Sequence, residues 1–130
     1  MVKKKNTIFH ETYFNLKNKK NIKQNNKRIT IKRLNNFFQK SIGFMFHFNK
    51  NQIMIFSFNK LINYSITNLF VFISLDLIFL DEDYRVMEIK KEFRSFSLYY
   101  KPQKKYKYLI EIPSSLSLFD KIKINSKIEI

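Results

Sequence analysis

The most apolar part of the chain, residues 65–80 (SITNLFVFISLDLIFL), carries a single acid, Asp76. The longest uncharged run, residues 61–75, contains several polar residues and is shorter than the roughly 20 residues that a helical membrane span needs. The pieces LFVFI and LIFL have strand length and are rich in aromatic and branched residues. We therefore predict two buried strands that meet at a bend or bulge near Asp76, and no transmembrane span.

Strand-like patterns recur along the rest of the chain. The charged DED turn between DLIFL and RVMEIKK is the arrangement of a β-hairpin. Further strands are predicted for RITIKRL (28–34), QIMIFSF (52–58), YKYLIEI (106–112) and KIKINSKIEI (121–130). In YKYLIEI, which Pro113 ends, one face holds Tyr106, Tyr108, Ile110 and Ile112, and the other holds Lys107 and Glu111. In the last segment Ile122, Ile124, Ile128 and Ile130 share one parity.

Residues 35–48 (NNFFQKSIGFMFHF) are the one place where the pattern is not strand-like throughout. Phe37, Phe38 and Ile42 stand at near-helical spacing, Gly43 can take a positive φ without strain, and residues 44–48 alternate again. Many short strands with little helix predict an all-β fold. We expect a mostly antiparallel β-sandwich or jelly-roll-like barrel with one short helix.

The positive charge is concentrated at the start of the chain. Of the formal net charge of +15, residues 1–40 carry +11. We predict that residues 1–27 form a flexible, Lys/Asn-rich leader and that residues 28–130 form a single β-domain. No apolar signal region follows the first lysines, so we expect a cytoplasmic protein.

The basic leader has two interpretations. Its cations could bind the phosphates of a nucleic acid without reading sequence; they are Lys17, Lys19, Lys20, Lys23, Lys27 and Arg28. The chain also has 21 lysines against 4 arginines and no Ala or Trp, which is typical of a strongly AT-rich genome. The charge would then belong to a solvated tail with no partner.

Asp76 is the polar residue with the clearest claim to a role. An acid beside an apolar pocket could act as a general base. Its carboxylate could equally accept hydrogen bonds from backbone N–H groups at a bulge, which is a structural role. Asp76 is therefore a candidate for a functional residue in a pocket and also for a structural residue at a bulge.

The sequence contains no recognisable metal, cofactor or catalytic motif. The neighbouring acids Asp81, Glu82 and Asp83 lack calcium-loop spacing and are expected in a solvated turn. His10 and His47 lie in different segments, and there is no cysteine. With one glycine the chain cannot build a Gly-rich phosphate loop, and it has no Gly-x-Ser-x-Gly elbow. We assign no catalytic residue, metal or cofactor.

Five landmarks follow one another in a recognisable order: IGFMF (42–46), LFVFISLDLIFLDED (69–83), RVMEI (85–89), YLIEIP (108–113) and KINSKIEI (123–130). In this order the chain resembles, over about residues 28–130, the uncharacterised family called domain of unknown function 192. The resemblance implies a small, mostly antiparallel β-domain with one short helix and no established activity. Members often carry His or Trp at the position of Thr67, so the resemblance adds Thr67 to Asp76 as a pocket candidate.

Together these features favour a non-enzymatic binding or interaction domain whose partner is unknown. One alternative is a weak, sequence-independent nucleic-acid binder that uses the leader. Another is a ligand-binding or enzymatic pocket near Asp76 and Thr67.

Overall fold

The computed structural model describes residues 13–35, 50–67, 72–94, 99–116 and 120–130. These ranges contain the strands β1 (Tyr13–Asn15), β2 (Asn21–Gln24), β3 (Lys27–Leu34), β4 (Gln52–Ile62), β5 (Leu75–Leu80), β6 (Val86–Phe93), β7 (Tyr106–Pro113) and β8 (Lys127–Glu129). A short 3₁₀ helix, Ser114–Leu116, follows β7.

The strands form two sheets. Six of them pair in the order β2-β3-β4-β7-β5-β6, while β1 and β8 form a separate two-stranded sheet. The pairs β1–β8 and β3–β4 are parallel, and the other pairs are antiparallel. Within the described ranges the larger sheet does not close into a barrel, so the predicted all-β, mostly antiparallel, sandwich-like fold is confirmed.

Both faces of the larger sheet are buried. On the first face, Ile53 and Ile110 pack in a cluster with Phe14 and Ile128 from the small sheet. On the second face, Met54 and other apolar side chains form a separate cluster. Because fully burying an aliphatic or aromatic side chain contributes about 1.5–3 kcal/mol, these two clusters supply the main driving force for the fold.

Several strands lie where the sequence predicts them. RITIKRL, LIFL and YKYLIEI fall in β3, β5 and β7. The acidic turn joins β5 and β6 in an antiparallel pair. The strand predicted for LFVFI is not found in its described part, because Phe72 and Ile73 lie in a bend and Phe72 is exposed. Ile124 does not share the burial of Ile122 and Ile128, because it lies in a turn beside Asn125, which has φ 75°.

The predicted helix near Phe37, the turn at Gly43 and the strand at 44–48 lie outside the described residues, as do His10 and His47. Of the helical segments in the described ranges, none is long and apolar enough to cross a membrane.

The first sheet strands begin well before the domain boundary that the sequence predicts after Lys27. Residues 13–27 contain β1 and β2, and Phe14, Leu16 and Ile22 are buried in the first-face cluster. These three apolar side chains and the backbone pairing with β8 and β3 join both strands to the rest of the fold. The described part of the leader therefore belongs to the sheet structure, whereas residues 1–12 lie outside the described residues.

The two faces of β7 differ from the predicted pattern. Tyr106 packs with the second-face cluster, whereas Tyr108 packs with the first. The β4–β7 pairing is irregular at this point, between Ser57 and Ile62. Glu111 is buried, since the second face is covered as well as the first. The alternation in YKYLIEI therefore reflects two apolar environments, one on each face of the sheet, and not one buried face and one solvent-exposed face.

Candidate functional site

Asp76 lies in β5 opposite a bulge in β6. Between Leu75 and Leu77, β6 contributes one residue more than β5 to the pairing. The bulge contains Glu92, whose φ of 51° lies in the left-handed region that non-glycine residues rarely adopt. The Glu92 N–H donates a hydrogen bond to Asp76 Oδ1 over 2.9 Å. The Asp76 side chain thus provides an acceptor for a backbone group at the bulge.

Both oxygens of the Asp76 carboxylate have partners. Oδ1 also accepts a hydrogen bond from Ser114 Oγ at 2.8 Å, and Oδ2 lies 3.1 Å from Lys91 Nζ. The residue is only 6% exposed. A buried carboxylate with this set of partners is fixed in position.

The Lys91 ammonium group lies between two carboxylates. It is 3.1 Å from Asp76 Oδ2 and 3.2 Å from Asp120 Oδ1. Partial burial alone would lower the pKa of Lys91, but hydrogen bonds to the two carboxylates outweigh it and raise the pKa above the ordinary value. Lys91 is therefore a cation across the physiological pH range.

This ion pair borders a cavity of about 240 Å³, which we call the Asp76 pocket. Its apolar lining comes from Ile78 of β5, Ile89 of β6, Ile112 of β7 and Ile122. The charged groups Asp76, Lys91 and Asp120 complete the lining. The volume lies just below the 300–1,000 Å³ typical of drug-sized pockets, so the Asp76 pocket suits a small ligand.

The structure separates the two pocket candidates that the sequence suggests. Ile66, the neighbour of Thr67, packs on the second face and forms an isolated bridge with Tyr100. Asp76 faces the first face, beside Ile78, and Thr67 is not part of the Asp76 pocket lining. Lys91 and Asp120 join Asp76 instead, and no motif in the sequence marks either of them.

The acidic turn has a structural role. Asp81 Oδ1 accepts hydrogen bonds from the N–H groups of Asp83, at 2.8 Å, and Arg85, at 3.0 Å. This is the local bonding pattern of an Asp at the start of a turn. In the part of the chain that the structure describes, no three His, Cys, Asp or Glu residues are grouped to hold a metal.

The basic leader residues lie on an ordered surface. Lys23 and Arg28 are directly opposite each other on β2 and β3, and both are exposed. Lys17, Lys20 and Lys27 are also exposed, whereas Lys19 is half-buried. Residues 13–35 contain no acid. This strongly positive surface lies at one edge of the large sheet, because β2 is the terminal strand.

Arg33 links the basic loop between β1 and β2 to a second cavity. Its guanidinium donates hydrogen bonds to the carbonyl oxygens of Lys19, at 2.6 Å, and Leu16, at 2.7 Å. It also lines an open groove of about 420 Å³ with Lys107 and the stacked rings of Tyr84 and Tyr108. The lining of this groove includes two cations and no acid.

Glu111 is a buried acid whose environment the sequence did not reveal. Its neighbours across the sheet are Met54 and Leu77, and it is 6% exposed. Its carboxyl forms no hydrogen bond or ion pair with another residue of the described ranges. Burial raises the pKa of Glu111 to about 8, so the carboxyl is mostly protonated at neutral pH.

Comparison with known proteins shows which family this small all-β domain belongs to. The model of domain of unknown function 192, an uncharacterized ACR family, matches residues 19–130. A UPF0127 protein of Pyrococcus abyssi is 33% identical over 96 residues, which cover 72% of this chain and 80% of that protein. The chain therefore belongs to the domain of unknown function 192 family, as the order of its landmarks indicates. The family is uncharacterised and supplies no specific function.

Two crystal structures share the fold. One is a protein of unknown function from Novosphingobium aromaticivorans, with a TM-score of 0.68, 22% identity, and coverage of 77% of this chain and 74% of that chain. The other, from Sinorhizobium meliloti, is provisionally named a transcription regulator; the TM-score is 0.67, the identity is 14%, and coverage is 78% of this chain and 81% of that chain. At these identities the similarity concerns the fold alone.

Proposed function

We propose that this chain is a non-catalytic binding domain whose ligand site is the Asp76 pocket. The observation that carries the proposal is an apolar cavity of about 240 Å³ beside a three-membered ion-pair network. Ligand sites commonly combine an apolar lining with a few polar groups that fix orientation. The three large-sheet strands β5, β6 and β7 and Ile122 supply this combination here.

The charge states in the pocket favour binding over catalysis. A nucleophilic lysine needs a lowered pKa, whereas the pKa of Lys91 is raised. Asp76 is held by the Glu92 N–H and Ser114 Oγ through Oδ1 and pairs with an ammonium through Oδ2, so its carboxylate is arranged to bind a cation. These groups are suited to orient a ligand.

The proposal can be tested by NMR on the full chain with carbon-13 in the isoleucine methyl groups. The probes are isopentylamine, isopentanol and isovalerate, which share one branched body and differ in the polar group. At least one probe should shift the methyl signals of Ile78, Ile89, Ile112 and Ile122. The signals of Ile29 and Ile53, which are buried elsewhere on the first face, are the internal control. No saturable shift at the four pocket residues would contradict the proposal.

A second candidate function is sequence-independent binding of single-stranded nucleic acid at the basic sheet edge. It is supported by the exposed Lys23–Arg28 pair and by Arg33, which connects the basic loop to a groove that contains Lys107 and Tyr84. Cations paired with aromatic rings are the usual components of single-strand sites. The transcription-regulator name of the Sinorhizobium meliloti structure is compatible with this candidate and adds little weight to it.

Truncation is a poor test of this second candidate, because removal of residues 1–27 would delete two strands and three core side chains. A triple substitution to Gln tests it instead, at Lys17, Lys23 and Arg28. The matched control removes the same charge at the exposed Lys101, Lys104 and Lys105. The first variant should bind a single-stranded oligonucleotide more weakly and with a smaller salt dependence than the control. Equal binding by the two variants would refute the candidate.

The expected cytoplasmic location is also a proposal, which fractionation of the cells that produce the chain would test.

A further inference from the structure

We infer that the ligand of the Asp76 pocket carries an ammonium group, which takes the place of Lys91 Nζ between Asp76 and Asp120. This inference rests on the proposed binding function and adds the chemical class of the ligand. The ligand class is a short, branched aliphatic amine in its protonated form.

The first argument is charge. Two carboxylates share one ammonium at the pocket, so the three groups together carry one net negative charge. A ligand carboxylate in the place of Lys91 would put a third negative charge beside the two aspartates, and a hydroxyl there would leave both aspartates without a cation. A ligand ammonium in that place restores the cation and its charge-assisted hydrogen bonds, which are the stronger kind.

The second argument is that Asp76 can exchange its cation without losing its position. Oδ1 is held by the Glu92 N–H and Ser114 Oγ, and these bonds do not involve Lys91. Among the described residues, Oδ2 has Lys91 as its partner. Departure of Lys91 would therefore leave one oriented oxygen available to a new donor, which is a preorganised acceptor.

The third argument is that Lys91 can leave. Its side chain is 50% exposed and that of Asp120 is 60% exposed, so the ammonium can move into water. Lysine has a long, flexible stem and its ammonium is strongly hydrated. In the unliganded chain, Lys91 then occupies the position of the ligand cation and keeps Asp76 paired.

The apolar lining determines the size and the apolar character of the rest of the ligand. Ile78, Ile89, Ile112 and Ile122 offer branched aliphatic surface and no hydrogen-bond partner. A body of similar size and shape removes the most water from this surface. Isopentylamine combines such a body with a primary ammonium and is the probe for the inference.

The test measures dissociation constants for isopentylamine, isopentanol and isovalerate at pH 7, by methyl NMR on the full chain. We expect the amine to bind about tenfold more tightly than the alcohol, and isovalerate to bind most weakly. If the alcohol binds as well as the amine, or isovalerate binds best, the ammonium inference is overturned while the pocket function stands. If no probe binds in the pocket, both are overturned.

Two variants test the position of the ammonium. Asp120→Asn should weaken the binding of isopentylamine severalfold and leave the binding of isopentanol nearly unchanged. The matched control is Asp83→Asn, in the β5–β6 turn, which should change neither affinity. Lys91→Met should bind isopentylamine more tightly, because the Lys91 ammonium no longer competes for the same position. Weaker binding of isopentylamine by Lys91→Met would overturn the inference. So would a loss of affinity in Asp83→Asn equal to that in Asp120→Asn. Because the Asp120 side chain is largely exposed, Asp120→Asn should not unfold the chain. The NMR spectrum of the variant checks this directly.

Discussion

Asp76 Oδ1 accepts the backbone N–H of Glu92 over 2.9 Å, across the bulge in β6. This contact joins the bulge to the pocket, because Lys91, the residue before Glu92, reaches Asp76 Oδ2 from the same strand. Bulges commonly redirect a side chain beside a functional site. Asp76 therefore serves both the backbone of β6 and the ion pair that lines the pocket.

Loss of the Asp76 side chain should destabilise the fold. Asp76→Ala removes the acceptor of the Glu92 N–H and Ser114 Oγ and leaves Lys91 with one carboxylate. We expect the free energy of unfolding to fall by about 2–4 kcal/mol, with a smaller loss for Asp76→Asn, which keeps an acceptor oxygen. Urea denaturation measures both values. Asp83→Ala is the exposed control, and a similar small loss in all three variants would show that Asp76 has no structural role.

Glu92→Gly should stabilise the chain. A non-glycine residue at φ 51° is held in a sparsely populated region, and glycine adopts it without steric cost. The gain, up to about 1 kcal/mol, is reduced by the greater freedom of glycine in the unfolded chain. Lys32→Gly, at an exposed position in β3, should instead lower the stability by about 0.5–1 kcal/mol. Thermal or urea unfolding of the two variants measures both changes in stability. An equal loss of stability in both would contradict the bulge geometry.

Glu111 should make stability fall as pH rises. Burial raises the pKa of Glu111 from 4.5 to about 8 in the folded chain, so unfolding releases a proton between these values. The free energy of unfolding should fall through this window by at most about 1.4 kcal/mol per pH unit, with the contribution fully present below pH 4.5 and lost above pH 8. The difference between the wild type and Glu111→Gln, measured from pH 5 to 9, isolates this effect. Parallel curves would mean that Glu111 is ionised in the folded chain.

Arg33→Lys should loosen the loop between β1 and β2. The guanidinium reaches the Leu16 and Lys19 carbonyls at once, whereas an ammonium cannot reproduce that fork. We expect a loss of about 1–2 kcal/mol and faster amide hydrogen exchange in the loop and in β2. Arg28→Lys, at an exposed position on β3, is the control and should change neither quantity.

The sequence predicted the strands whose local pattern determines their environment. Ile29 and Ile31 alternate with polar residues and are buried as expected, and the acidic turn joins its two strands. Burial of Phe14 and Ile22 was less visible, because single apolar residues among Lys and Asn carry no periodic signal. Glu111 was missed because alternation shows which residues share a face but not whether the other face is covered.

The sequence singled out one of the three charged residues that line the Asp76 pocket. Asp76 stood out as an acid within an apolar run, whereas Lys91 and Asp120 are two charges among many in the sequence. Their meeting depends on a one-residue shift in the β5–β6 register and on the path of the chain after β7. Such long-range register is not encoded in any short segment. Thr67, which the family resemblance suggests, does not line the Asp76 pocket, and its role stays a prediction.

The most direct test of the ligand site compares two phenylalanine substitutions two residues apart. Ile122 lines the Asp76 pocket and is 6% exposed, whereas Ile124 is 53% exposed and outside it. A phenylalanine at 122 should fill part of the cavity, so Ile122→Phe should lower the affinity for isopentylamine by about tenfold or more, while Ile124→Phe leaves it unchanged. Unchanged affinity in Ile122→Phe, with the fold confirmed by NMR, would show that the Asp76 pocket is not the binding site.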